Sequence, residues 1–454
     1  MPDRASLVRP TRRAAPLLLA ALLGVALFLG GARLTPQHAL ACAFDPLRPA
    51  TYEADALRTQ YLLAVDAVAT NRLFAGDPYF GLPAVEVGTR ANRTNGPSAV
   101  PVEVVRAIGW VESDLTMASR SVRFESLGPA LVSFDCGHGI MQVTSGMTVP
   151  LGAEGKPTAN QVAVATSYPH NVARGAVILA SKWNDAPGLR PIVGTDTGAD
   201  PTILENWYYA IWAYNGFTGP GSRQSNHPLD PSFSVPRPAY RCDGTQSRTR
   251  YPYQELVYGC VANPPERSNQ RLWSAVPAAL PDLTAPQFFN ALRLGAFTFP
   301  YGEMDMPTPQ PAHRTQTPTV AANVRQQLLG TPQLTVANTA TITINTNGTA
   351  AQTRATIKVA NAGSGILSWT AVPSDTFLII DPPAGTSVGS GIACNSVTCP
   401  SGEITVTINP TLLPAARASG TIAISSPNAP GATTIRVQVI AEFEVAAPGT
   451  SRAP

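Results

Sequence analysis

Charged side chains are scarce, with 32 Lys plus Arg and 29 Asp plus Glu in 454 residues, or 13%. That excludes a disordered polyelectrolyte, and the near balance of sign excludes a strongly basic surface built for nucleic acid. Even the small positive excess is local. Arg4, Arg9, Arg12, Arg13 and Arg33 face only Asp3 within residues 1–41, and the remainder carries 27 basic against 28 acidic residues. The five histidines include none at ligand spacing from a cysteine pair, and there is no phosphate-cradling glycine loop, zinc motif or nucleotide fingerprint. No cofactor and no nucleic-acid partner is expected. The 44 prolines, nearly double ordinary usage, exclude a solenoid or coiled coil.

What is present begins with an address. Arg4 to Arg13 form a basic segment, Pro16 to Gly31 an almost purely apolar run, and Ala39-Leu40-Ala41 a small-residue site ahead of Cys42. Residues 1–41 therefore read as a secretory signal peptide. The apolar run is shorter than the ~20 residues of a spanning helix, so a membrane becomes a partner only if this segment stays uncleaved. Export to the cell envelope or the exterior favours disulfides among the six cysteines. Local pairing of Cys394 with Cys399 and of Cys242 with Cys260 is the most economical choice, leaving Cys42 for Cys136.

Composition then divides the chain. Residues 101–273 are helical and aromatic, holding five of the six tryptophans, and a Pro/Thr/Gln-rich stretch at 301–333 reads as a linker. Beyond it come alternating runs such as Thr341-Ile342-Thr343-Ile344, Thr356-Ile357-Lys358-Val359 and Ile404-Thr405-Val406-Thr407-Ile408, separated by Gly, Asn and Pro. Six or seven short strands over 334–445 make a β-sandwich, with 446–454 as a tail.

Within the helical part, Val102 to Ser113 has the clearest face. At about 100° per residue Val104, Val105, Ile108 and Val111 share one stripe while Glu103 and Arg106 lie opposite. Glu112 falls inside that stripe. A carboxylate on a buried face near a helix C-terminus is disfavoured by desolvation and by the helix dipole, and both raise its pKa. Such a group is suited to general acid catalysis; the alternative is neutralisation by an arginine from another element.

Four further segments follow Glu112-Ser113 in order: Gly139-Ile140-Met141-Gln142, Asn171-Val172-Ala173-Arg174-Gly175, Ala213-Tyr214-Asn215-Gly216 and Tyr253 to Val257. Together they resemble the soluble-type lytic transglycosylases, with their glutamate-serine pair, G-L-M-Q loop, N-I-x-x-G helix, A-Y-N turn and late Y-x-x-x-V element. The resemblance implies a mainly α, lysozyme-like (α+β) domain over 42–300, its core at about 101–257, that cleaves the β-1,4 bond between N-acetylmuramic acid and N-acetylglucosamine in peptidoglycan glycan strands. Glu112 takes the place of the single catalytic acid. Ser113, Gly139, Met141, Gln142, Tyr214 and Asn215 take substrate-side positions, with the Tyr214 hydroxyl near Glu112 and Ser113 bonded to the carboxylate or to nearby backbone.

A hydrolase would need a second carboxylate, and Asp114, Glu125 and Asp135 are the nearby acids. Asp114 would point elsewhere if the helix continued. The interval from Glu112 to Gln142 is longer than the family usually shows and contains Cys136, so a disulfide-tethered loop is expected there. Trp110, Trp207, Tyr208, Tyr209 and Trp212 read as core aromatics, and His138 as a loop residue. Finally, Asn361-Ala362-Gly363-Ser364-Gly365-Ile366-Leu367-Ser368-Trp369-Thr370 resembles immunoglobulin-like modules of the BACON type, which implies a spacer or adhesion unit that also contacts extracellular carbohydrate. Trp369 is expected in its core.

Overall fold

The computed structural model describes residues 41–443 apart from 149–155, 190–191, 219–224, 287–304, 338–340, 347–352, 392, 395–397 and 432–433. The expected leader, save Ala41, and the expected tail lie outside the described residues.

Among the described residues the first part is built on α1 (Thr59–Ala69), α2 (Val102–Ser113), α3 (Ala159–Thr166), α4 (Tyr168–Leu189), α5 (Tyr208–Asn215) and α6 (Tyr253–Ala262). The pattern that marked α2 is the one it buries, since Val104, Val105 and Ile108 are fully enclosed. Each such side chain contributes about 1.5–3 kcal/mol when removed from water. The helix stops because Asp114 turns left-handed, at φ 58°. Helix α3 opens on a capping box in which Thr158 and Gln161 satisfy each other's backbone amides. Helix α4 runs for 22 residues and carries the Asn171–Gly175 motif in its first two turns. Asp200-Pro201 makes a turn, with Asp200 accepting the Thr202 amide, before a 3-10 stretch at Leu204–Trp207 leads into α5.

Short strands brace these helices. Strand β1 (Ala50–Glu53) pairs with β4 (Ser126–Pro129), β2 (Glu86–Gly88) with β3 (Arg93–Asn95), and β6 (Glu266–Arg267) with β7 (Gln270–Arg271). Strand β5 (Ile192–Val193) takes a parallel partner, β8 (Asp305–Met306), from the stretch expected to be a linker. That stretch, where described, lies on the helical part. Glu205 accepts from the His313 amide at 2.9 Å, and Glu103 accepts from the Thr315 hydroxyl and the Gln316 amide at 2.6 and 2.8 Å. Its last residues form the short helix α7 (Val324–Leu328). The Pro/Thr/Gln composition hid this, because the strap's partners are side chains of distant helices rather than neighbours at a regular spacing.

The second part is a two-layer β-sandwich with nine strands among the described residues, two or three more than the sequence pattern implied. One sheet has the order β10 (Ile342–Asn345), β17 (Thr434–Glu442), β16 (Arg417–Ser425), β12 (Ile366–Pro373), β14 (Ala384–Val388); the other has β13 (Leu378–Asp381), β15 (Gly402–Ile408), β11 (Arg354–Asn361), β9 (Leu334–Ala337). All pairs are antiparallel except β10 with β17. Alternation places Ile357, Val359, Leu367, Ile404, Val406, Ile422, Val437 and Val439 inside with Trp369, which is fully buried. Strands β12 and β14 depart from alternation, with Ile366 to Trp369 and Ala384 to Val388 buried on both faces. Their second face packs on α3 and β1. There the Thr166 hydroxyl meets Ser368 at 2.8 Å, and the Thr166 carbonyl accepts from Thr51 and Thr386. Disulfides join Cys42 to Cys136, Cys242 to Cys260 and Cys394 to Cys399, the expected pairs.

Candidate active site

Glu112 sits on the last turn of α2, half-buried, and Tyr253 at the first position of α6 donates its hydroxyl to Oε1 at 2.6 Å. Desolvation pushes the carboxyl up from the ordinary 4.5 to about 7. The Tyr253 hydrogen bond and the more distant charge of Arg248 pull it down, while the charge of Asp135 adds to the rise. No described cation touches the carboxylate, so neutralisation by an arginine is not what the structure shows. Near neutral pH this group holds a proton in part of the molecules and can release it.

The wall beside Glu112 is a loop whose every motif residue has a mechanical reason. Gly139 lies at φ 64°, and a Cβ there would meet the Met117 sulfur at 2.6 Å and the Asn171 amide at 2.7 Å. Asn171 clamps the loop from α4. Its Oδ1 accepts the Met141 amide at 2.9 Å, and its Nδ2 donates to the carbonyls of His138 at 2.7 Å and Val164 at 3.0 Å. Gly175, one turn further along α4, leaves room for Met141, whose Cβ would lie 2.5 Å from any Cβ at that position. Ser113 fastens the loop to α2 by donating to the Ile140 carbonyl at 2.8 Å, and it also accepts the Thr116 amide.

Several expected site residues therefore act from beneath. Ser113 and Met141 are buried, at 2% and 0% exposure, and Ser113 bonds backbone rather than the carboxylate. Gln142 is half-buried and donates to the Gly139 carbonyl at 2.8 Å. Tyr214 gives its hydroxyl to the Met141 carbonyl at 2.7 Å, not to Glu112, although burial first and then the Glu112 charge raise its pKa. Asn215 is exposed at the end of α5 and accepts from Asn226 at 3.1 Å. The hydroxyl that reaches Glu112 belongs to Tyr253. The order of motifs contained it, but a contact across 141 positions leaves no local signal.

Of the nearby acids, Asp114 is paired with Arg120 at 2.9 Å and Arg248 at 3.5 Å, and Glu125 exerts its charge on Tyr52. Asp135 is exposed and influences Glu112. Trp207, Tyr208, Tyr209 and Trp212 are core residues as expected, while Trp110 is half-buried beneath the Arg267 guanidinium. His138 is buried and bonded to the Cys136 carbonyl.

No protein-family model matches the chain, and no curated protein matches it in sequence. Among solved structures, the periplasmic chaperone SfaE aligns with 27% of this chain and 62% of its own at 11% identity and a TM-score of 0.20. The E. coli chaperone DraB aligns with 24% of this chain and 55% of its own at 10% identity and a TM-score of 0.19. The CsuC–CsuE chaperone–tip adhesion subunit complex from Acinetobacter baumannii aligns with 25% and 57% at 11% identity and a TM-score of 0.19. This chain thus spans less than two thirds of the length of the chaperones it matches.

Proposed function

We propose that the chain is an exported, lysozyme-like lytic transglycosylase of peptidoglycan. The observation that carries this reading is the half-buried Glu112 carboxyl, bonded among the described residues by Tyr253 alone and brought by desolvation to about 7. In this reading Glu112 protonates the glycosidic oxygen between N-acetylmuramic acid and N-acetylglucosamine. The substrate's own N-acetyl group supports the oxocarbenium-like centre. Glu112, now a carboxylate, takes the proton of the C6 hydroxyl as that oxygen closes on C1 to form a 1,6-anhydro-muramoyl end, and no water is consumed. Three disulfides suit an oxidising, extracytoplasmic setting, and among the described residues no helix is long and apolar enough to cross a membrane. The sandwich serves as a spacer or adhesion unit, and with Trp369 enclosed, any carbohydrate contact there uses other residues.

One observation favours a second reading. Asp135 is a carboxylate whose charge reaches Glu112, so a muramidase that delivers water with Asp135 is the rival. A wall-binding protein without turnover is the third. Digestion of purified peptidoglycan followed by mass analysis of the muropeptides separates them, because anhydro and reducing ends differ by one water. Anhydro ends are expected. The Glu112→Gln variant should lose at least about a thousandfold in rate while keeping its fold; undiminished release from it removes the assignment.

A further inference from the structure

Phe134 is 84% exposed, the largest fraction for any big apolar side chain among the described residues. A lone exposed apolar residue is ordinary. What sets this one apart is the densely bonded turn whose backbone carries it. The Ser133 amide donates to the Gly137 carbonyl at 2.9 Å, the Cys136 amide to the Ser133 carbonyl at 3.2 Å, and the Gly137 amide to the Ser133 hydroxyl at 2.8 Å. The Ser133 hydroxyl in turn donates to Asp135 at 2.5 Å, and the turn is tied down through the disulfide from Cys136 to Cys42. Phe134 stands at its tip.

The turn also belongs to the wall beside Glu112. Isolated bridges join Val132 to His138 and His138 to Val143, so the turn and the Gly139–Gln142 loop form one continuous structure. Gly137 lies against Gln142, close enough that a Cβ would meet its Oε1 at 2.9 Å.

We propose that the Ser133–Gly137 turn is a sugar subsite, with Phe134 stacking on the apolar face of a pyranose ring of the glycan strand and Asp135 accepting a hydrogen bond from that strand. An aromatic side chain with only two rotatable bonds on a fixed backbone loses little freedom on binding, and an adjacent carboxylate supplies the direction that stacking lacks. The inference rests on the transglycosylase reading for the identity of the strand.

The test uses the full chain in two settings. In the Glu112→Gln background, calorimetry with a soluble N-acetylglucosamine oligosaccharide should show Phe134→Ala weakening binding about five- to tenfold. Phe134→Tyr should restore it and Phe134→Leu should not. In the active chain, Phe134→Ala should raise KM on peptidoglycan by a similar factor and change kcat less than about twofold. Unaltered KM in a chain that turns over overturns the subsite and leaves the transglycosylase reading standing. Absent turnover with binding that depends on Phe134 keeps the subsite and removes that reading, while absence of both binding and turnover removes both. Sedimentation in which Phe134→Ala dissociates a dimer assigns the ring to a second copy of the chain, and so overturns the proposal.

Discussion

The two halves of the molecule treat buried charge in opposite ways. The sandwich encloses Ser368, Thr386 and Ser387 but no described ionisable group, so its interior combines apolar packing with neutral hydroxyls, Ser387 donating to the Val359 carbonyl and accepting the Gly402 amide. The helical half encloses Glu53, Glu103, Glu205 and Glu255, and every one of them is answered. Glu53 accepts from Arg58 at 2.6 Å and from the amides of Met117 and Ala118; Glu205 accepts from His313 and the Ala279 amide; Glu255 is gripped by Arg237; Glu103 holds the strap. Burial still raises Glu53 and Glu255, opposed by the Ala118 amide and Arg58 in one case and by Arg237 in the other. Glu112 has a single neutral hydroxyl among the described residues, where Glu103 has two neutral donors and the other three have a basic side chain. The contrast teaches that the fold can neutralise an inward carboxylate, and that at position 112 it does not.

The strongest way to break the contrast is to strip an answered carboxylate. Arg237→Met leaves Glu255 buried and alone and should cost about 3–5 kcal/mol, read as a lower unfolding temperature. Glu112→Gln should act in the opposite direction. Between pH 4.5 and about 7 the folded chain keeps the Glu112 proton that the unfolded chain gives up, so native stability falls as pH rises through that window. Glutamine removes the penalty. The variant should gain on the order of 3 kcal/mol over the parent above pH 7 and nothing below pH 4.5, and denaturant melts at pH 4 and pH 8 check this; equal stability at both would equate position 112 with the answered sites.

Smaller effects refine the same point. Tyr253→Phe removes the donor that favours the charged form, so the alkaline limb of kcat should move up by about one unit. Asp135→Asn removes a negative charge, and that limb should move down by less than about half a unit, since the charge is exposed. A collapse of kcat in Asp135→Asn would instead identify Asp135 as the second acid of a hydrolase.

How much of this was legible depended on whether a contact is periodic. Helix α2 was readable to its ends because one stripe of Val and Ile faces one core, and the strands of β11, β15 and β16 because each alternates against a single partner layer. Glu112 stood out because it interrupts such a stripe. Strand β14 was missed because Ala384 to Val388 are buried on both sides, which erases alternation, and β13 because it offers only four residues. The motifs marked the residues that support the candidate site, but what each does there could not be read, for another reason. Asn171, Gly175 and Ser113 work through backbone carbonyls and empty space, neither of which is written as a residue type, and Tyr253 meets Glu112 only once the helices are packed.

The strap has a practical corollary for anyone who would isolate the helical half. Composition invites a cut near residue 301, yet Glu103 lies on the same helix as Glu112 and accepts from Thr315 and Gln316, and Glu205 relies on His313 besides the Ala279 amide. A fragment ending there would expose two enclosed acids to an empty groove, one of them on the helix that carries Glu112. The smallest self-sufficient piece of this chain extends past Gln316.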